Sequence, residues 1–167
     1  MKHLMAVVVG GALVLAGSTA TLLDAATTTT FPVTATAAAT CTVSATGVSF
    51  GTYTGGVLFA NGSLNVNCSS GTPYNVALNA GGNYNGAARQ MINGAAAIAY
   101  GIYRDAGFNT QWGDNGCGAG NTYSAGTCQA GTGSGVAQAL TAYGVAFAGQ
   151  STVPGSYSDT VVATVVF

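Results

Sequence analysis

Charge is what this chain has least of. Of its 167 residues, three are Lys or Arg, four are Asp and none is Glu. That is 4% charged, against about 25% in ordinary soluble domains. Between Ala25 and Ala88 there is no charge at all. Beyond residue 26 the charged side chains are Arg89, Arg104, Asp105, Asp114 and Asp159, while the one His and the one Lys stand at positions 3 and 2. With no basic patch, nucleic acid is excluded as a partner. With no downstream His, Glu or Lys, Ser-His-Asp and Cys-His catalysis are impossible and Asp is the one remaining general base. Asp105, Asp114 and Asp159 sit at strand ends or turns, where capping is the expected role, so no enzyme is expected. Zinc and other metals are not expected either, because there is no Cys-x-x-Cys pair and no downstream His. Gly116-Cys-Gly-Ala-Gly120 neither follows a strand nor opens a helix, which makes it a poor phosphate cradle. No cofactor is therefore expected. A surface this poor in charge suits one largely covered by neighbours.

The first residues are organised like a secretory leader. Lys2 and His3 give a positive start, residues 4–15 are apolar, and Gly17-Ser18-Thr19-Ala20 is small. A signal peptide is expected over residues 1–20, with cleavage after Ala20 or as late as residue 26. The apolar run is too short to span a bilayer, and no longer run follows, so no membrane span is expected in the mature chain. Export gives the four cysteines meaning as disulfides. Three pairings are open. Cys41–Cys68 with Cys117–Cys128 is favoured, because it closes two separate loops and staples a Gly-rich stretch. Each bridge would contribute about 3 kcal/mol.

Helical periodicity is absent over any useful length. Short alternating runs between turn residues point to an all-β sandwich. Strands are expected at 40–49, 63–68, 74–78, 97–104, 139–147 and 157–167. Leu64, Val66 and Cys68 share one face, as do Tyr74, Val76 and Leu78, and Ile98, Tyr100 and Ile102. Gly55-Gly56, Asn61-Gly62, Gly81-Gly82, Asn85-Gly86 and Asn93-Gly94 read as turns. Asn61-Gly62-Ser63 also fits a glycosylation acceptor, with the hairpin turn preferred. Residues 107–135 read as loop. Trp112 reads as a loop aromatic packed on the core, not as a sugar platform.

The ends stand out. Phe31, Val33, Ala35, Ala37 and Ala39 alternate with polar or small residues. In the last stretch Val161, Ala163, Val165 and Phe167 share one parity, and Val162, Thr164 and Val166 the other. Both faces being apolar, the last strand is expected to be central or covered on both sides. Unblunted terminal strands are an aggregation liability, or a device for binding another copy of the chain.

Taken together, residues 30–43 (TFPVTATAAATCTV), Ser49-Phe-Gly-Thr-Tyr53, Leu64-Asn-Val-Asn-Cys-Ser69, Ala99-Tyr-Gly-Ile-Tyr-Arg-Asp105, Gln111-Trp-Gly113 and residues 155–167 resemble the spore coat protein U domain. That family includes major subunits of archaic, Csu-type chaperone–usher pili. The pair Cys117 and Cys128 is not part of the resemblance. What the resemblance implies is an incomplete immunoglobulin-like β-sandwich over residues 40–167, completed by a donor strand from a neighbouring subunit. Residues 27–39 would be that donor strand, with Phe31, Val33, Ala35, Ala37 and Ala39 as its plugs. Val161, Ala163, Val165 and Phe167 would line the acceptor groove. The implied partners are identical subunits in a head-to-tail fibre, with a periplasmic chaperone and an outer-membrane usher during assembly. The implied location is an extracellular pilus supporting adhesion and biofilm formation. The alternative is a secreted coat or matrix protein whose own donor strand folds back on itself.

Overall fold

The computed structural model describes residues 26–167; the expected leader lies outside them. The chain divides into two units, Met1–Thr36 and Ala37–Phe167. Of the first unit, the described residues 26–36 carry neither helix nor strand, and all are exposed. Residues 37–40 at the head of the second unit are likewise exposed and outside any strand.

The second unit is built from nine strands: β1 (Cys41–Thr46), β2 (Leu58–Cys68), β3 (Pro73–Leu78), β4 (Arg89–Asn93), β5 (Ala96–Tyr103), β6 (Trp112–Asn115), β7 (Gln129–Thr132), β8 (Gln138–Ala146) and β9 (Ala163–Val166). One sheet runs β1-β2-β8-β5-β4 and the other β7-β3-β9. The alternation read from the sequence fixes their facing surfaces. Leu64, Val66, Cys68, Tyr74, Val76 and Leu78 meet Tyr100, Ile102 and Ala142 in one core. Trp112 opens β6 at 1% exposure, and its indole N–H donates to the Val76 carbonyl at 2.8 Å. The Asn93-Gly94 signal is a true hairpin turn, joining β4 to β5 with Asn93 opposite Ala96.

Both disulfides form as favoured from the sequence, Cys41–Cys68 and Cys117–Cys128. Cys41 lies directly opposite Cys68 on neighbouring strands, with Cα atoms 4.1 Å apart. Such close approach belongs to a non-hydrogen-bonded antiparallel pair.

Four expectations are corrected. Asn61-Gly62 is not a turn: β2 runs through it, with Asn61 opposite Tyr143 and Gly62 opposite Ala142. A Cβ on Gly62 would lie 2.7 Å from the Thr46 carbonyl oxygen, so the glycine is there for close approach of the backbone. Residues 107–135 are not all loop, since β6 and β7 lie within them. β4 has no counterpart in the sequence-based strands. Finally, the C-terminal strand is neither central nor covered on both faces. β9 pairs only with β3, and Val162 is 53% exposed.

Candidate functional site

β1 and β9 are each the last strand of their sheet on the same side of the sandwich, and no ladder joins them. Backbone parity tells which groups face the gap. The Asn79 N–H donates to the Val162 carbonyl at 3.0 Å, and the Gly82 N–H to the Thr160 carbonyl at 3.0 Å. The even-numbered residues of this stretch therefore turn their backbone groups toward β3. Val161, Ala163 and Val165 turn their N–H and C=O groups to the open side. The same holds across the gap. Ser69 N–H donates to the Thr40 carbonyl at 2.9 Å, so Cys41, Val43 and Ala45 present their backbone to the open edge of β1. Of these, Cys41, Val43, Val161, Ala163 and Val165 also pack their side chains against the core.

The gap is a groove. One cavity of about 410 Å³ has Leu64, Leu78, Ile102 and Ala142 as its floor, Ala45 on one wall and Val161 and Ala163 on the other. A second, of about 670 Å³, continues it past Tyr53, Leu58, Ile98 and Val153. Val48, Phe50, Met91 and Tyr157 line both and join them. Val48 and Phe50 close down on β8 because Gly144 leaves them room: a Cβ there would lie 2.6 Å from Val48 Cγ1.

Polar chemistry fixes one end. The chain touches β4 through the Ile92–Ser158 bridge, then crosses to β3. Asp159 anchors the crossing. Its carboxylate accepts the Tyr100 hydroxyl at 2.6 Å, and the Asn83 backbone N–H and side-chain amide at 3.1 Å each. Burial, and then the bond to Asp159, push the Tyr100 phenol well above its ordinary range. It stays a neutral donor. Among the described residues no cluster of three His, Cys, Asp or Glu side chains is present to hold a metal, and no helix is long and apolar enough to cross a membrane.

Of the acceptor residues read from the sequence, Val161 and Ala163 line the groove and Val165 packs against the core. Phe167 lies past the end of β9, is 59% exposed and lines neither cavity. Phe31 and Val33 are 87% and 82% exposed, and Ala35, Ala37 and Ala39 are exposed too. Sequence reasoning missed Ala45, Val48, Phe50 and Met91 as groove walls. The signal available for Ala45 was the period of two in β1, which puts Val43 and Ala45 on one face. Val48 and Phe50 lie in the loop after it, where periodicity carries no information.

Among solved structures, this chain is similar to the chaperone–tip adhesion subunit pre-assembly complex CsuC–CsuE from archaic chaperone–usher Csu pili of Acinetobacter baumannii. The TM-score is 0.56 and the identity 27%, over 79% of this chain and 40% of that chain. The chain thus spans less than half the length of the solved chain it matches. Comparison with curated proteins gives no match. The shared architecture is an immunoglobulin-like sandwich. The family model for the Spore Coat Protein U domain matches residues 27–164, nearly all of the described structure, and on that match the chain belongs to the Spore Coat Protein U domain family.

Proposed function

We propose that this chain is a structural subunit of a chaperone–usher pilus that polymerises head to tail by strand addition. The observation that carries the proposal is the pair of open strand edges, β1 and β9, on either side of an apolar groove. A strand laid between them pairs on both sides while its alternate side chains enter the groove. Residues 27–39 are the proposed donor. They are exposed, outside any ladder, and apolar at every second position from Phe31 to Ala39. Burying Phe31 and Val33 contributes about 1.5–3 kcal/mol each. The main-chain bonds add about 1 kcal/mol apiece, and alanine-rich sequence does not weaken them. Pro32 lacks an N–H, which places it near the start of the inserted stretch.

A contact between unlike surfaces that does not close by symmetry propagates as a fibre. Before assembly the groove needs a temporary occupant, which the proposal assigns to a periplasmic chaperone. The solved relative, a chaperone–tip adhesion subunit pre-assembly complex, supports that step. Export through the periplasm, handover at an outer-membrane usher, a cell-surface location and a part in adhesion and biofilm formation follow from the same reading.

The test is electron microscopy of cells producing the chain with its chaperone and usher, intact or lacking residues 27–39. Fibres that disappear on deletion support the proposal. A monodisperse, protease-resistant monomer in both cases replaces it with a coat protein that fills its own groove.

A further inference from the structure

The outer face of the five-stranded sheet carries a second feature, which shares no lining residue with the groove. Tyr103 and Tyr143 lie directly opposite each other on β5 and β8, and Phe59 opposes Val145, all on the face turned away from the core. The loop after β5 folds over them. Its tip, Phe108, lies 5.1 Å from the Phe59 ring, 5.5 Å from Tyr103 and 6.4 Å from Tyr143. Phe108 holds φ at 55°, a left-handed conformation that a bulky residue rarely adopts. The loop is held there by Asp105, which accepts the N–H groups of Asn109 at 3.1 Å and Thr110 at 2.8 Å. Phe59 stays 60% exposed. With Tyr103, Phe108 and Tyr143 half-buried around it, Phe59 forms the solvent-facing part of a rigidly held aromatic platform.

Beside it lies a small polar cavity of about 180 Å³, lined by Arg104, Gln129, Thr141, Tyr143 and Trp112. The Arg104 guanidinium makes one hydrogen bond, from Nη1 to the Cys128 carbonyl at 2.5 Å. Among the described residues its Nε is buried without a partner and out of a ligand's reach, while Nη2 is not buried and makes no hydrogen bond, which leaves Nη2 free for a ligand. Arg89 is the contrast: Nε, Nη1 and Nη2 are all bonded to carbonyls.

We propose that this face binds an acidic saccharide, with Arg104 taking a carboxylate or sulfate group of the sugar and the Phe59–Phe108–Tyr143 platform stacking on the ring beside it. A planar guanidinium matches a carboxylate or sulfate in geometry and charge. The Gln129 amide and the Thr141 hydroxyl supply neutral donors and acceptors for sugar hydroxyls. The cavity admits one anionic group and part of its ring. Arg104 is the one cation lining this cavity among the described residues, and one cation cannot hold a polyanion such as nucleic acid, whose binding needs many phosphate contacts. The aromatic surface favours a ligand with an apolar face over a bare anion.

Trp112 is the chain's one tryptophan and lines the cavity, so its fluorescence reports occupancy. The experiment titrates the full-length exported chain with tetragalacturonic acid, its methyl ester, sodium sulfate and a hexa-aspartate peptide. The expected result is saturable binding of the acid and none of the ester. Arg104→Gln should weaken it by about tenfold or more, and Phe59→Ser by about threefold. Phe59 is largely exposed and its change leaves the fold alone, so it and Thr141→Val carry the test if Arg104→Gln fails to fold. Equal binding of acid and ester, or wild-type affinity in all folded variants, overturns the proposal. Sulfate binding as tightly as the saccharide reduces the site to an adventitious anion site. Tighter binding of hexa-aspartate transfers it to an acidic peptide.

Discussion

Replacing Arg89 with Met tests how the sandwich holds together behind its groove. Arg89 is fully buried, at 0% exposure, and bonds carbonyls instead of a carboxylate. Nε donates to the Asn79 carbonyl at 3.0 Å, and Nη2 to the same oxygen at 2.6 Å and to the Leu78 carbonyl at 3.0 Å. Nη1 reaches the Trp112 carbonyl at 2.9 Å. The guanidinium also lies 4.0 Å from the centre of the Tyr123 ring. These carbonyls need a partner because the ladders run out around them. β3 pairs with β7 only as far as Val76, so Leu78 has no strand partner on that side. At Asn79 the Val162 N–H bonds the side-chain oxygen, leaving the main-chain carbonyl to Arg89. Methionine fills similar volume and deserts three buried acceptors, each costing about 1–3 kcal/mol. Against this stands the desolvation of the charge, which already pulls the Arg89 pKa below its ordinary value and which methionine avoids. The net loss expected is about 3 kcal/mol, or roughly 10 °C in Tm for a domain of this size. Arg89→Lys should not restore it, since a single ammonium cannot reproduce the fork. The assay is thermal unfolding of the disulfide-bonded chain by circular dichroism. A Met variant within about 2 °C of wild type would refute the assignment of Arg89 as the partner of those carbonyls.

Three further outcomes are expected. Val33→Asp leaves Tm unchanged, because Val33 is 82% exposed, but abolishes fibres in micrographs, since insertion would bury an unpaired carboxylate. Gly113→Ala destabilises by about 2 kcal/mol or more in urea titration, because its Cβ would lie 2.3 Å from the Gly126 carbonyl oxygen, a backbone atom with no room to move. Acid unfolding should depend on Asp114. Burial opposes its charge, but bonds from the Thr122 hydroxyl and from the Tyr123 and Thr122 N–H groups win and hold its pKa below the ordinary carboxylate value. A depressed folded pKa means stability that is full above the unfolded pKa of about 3.9 and lost as pH falls through the folded value. Asp114→Asn should therefore flatten the acid limb of stability against pH, and an unchanged limb would exclude that role.

The core faces were legible because alternation is a local property. Leu64, Val66 and Cys68, or Ile98, Tyr100 and Ile102, announce their buried side whatever strand lies next to them. The position of β9 was not legible. Val162 and Val166 made its outer parity look covered, and nothing in a single sequence says which neighbouring strand is present. The Asn61-Gly62 signal failed because the glycine answers a steric demand from Thr46, a residue on another strand. Arg89 was visible as a charge without a visible purpose, since its acceptors are main-chain carbonyls that carry no side-chain signature. Four-residue strands such as β6 and β7, set in a Gly-rich stretch, are too short for periodicity to register. The parity of Val161, Ala163 and Val165 was legible, while the loop walls Val48 and Phe50 depend on Gly144 far along the chain.

Hydrogen exchange, read amide by amide in the monomeric full chain and in assembled fibres, tests the acceptor edge most directly. The Thr164 and Val166 amides face β3 and should be protected in both states. The Val161, Ala163 and Val165 amides should exchange freely in the monomer and become protected on assembly, together with Val43 and Ala45 across the groove. Free exchange at Val161, Ala163 and Val165 in assembled fibres would contradict strand addition at this edge.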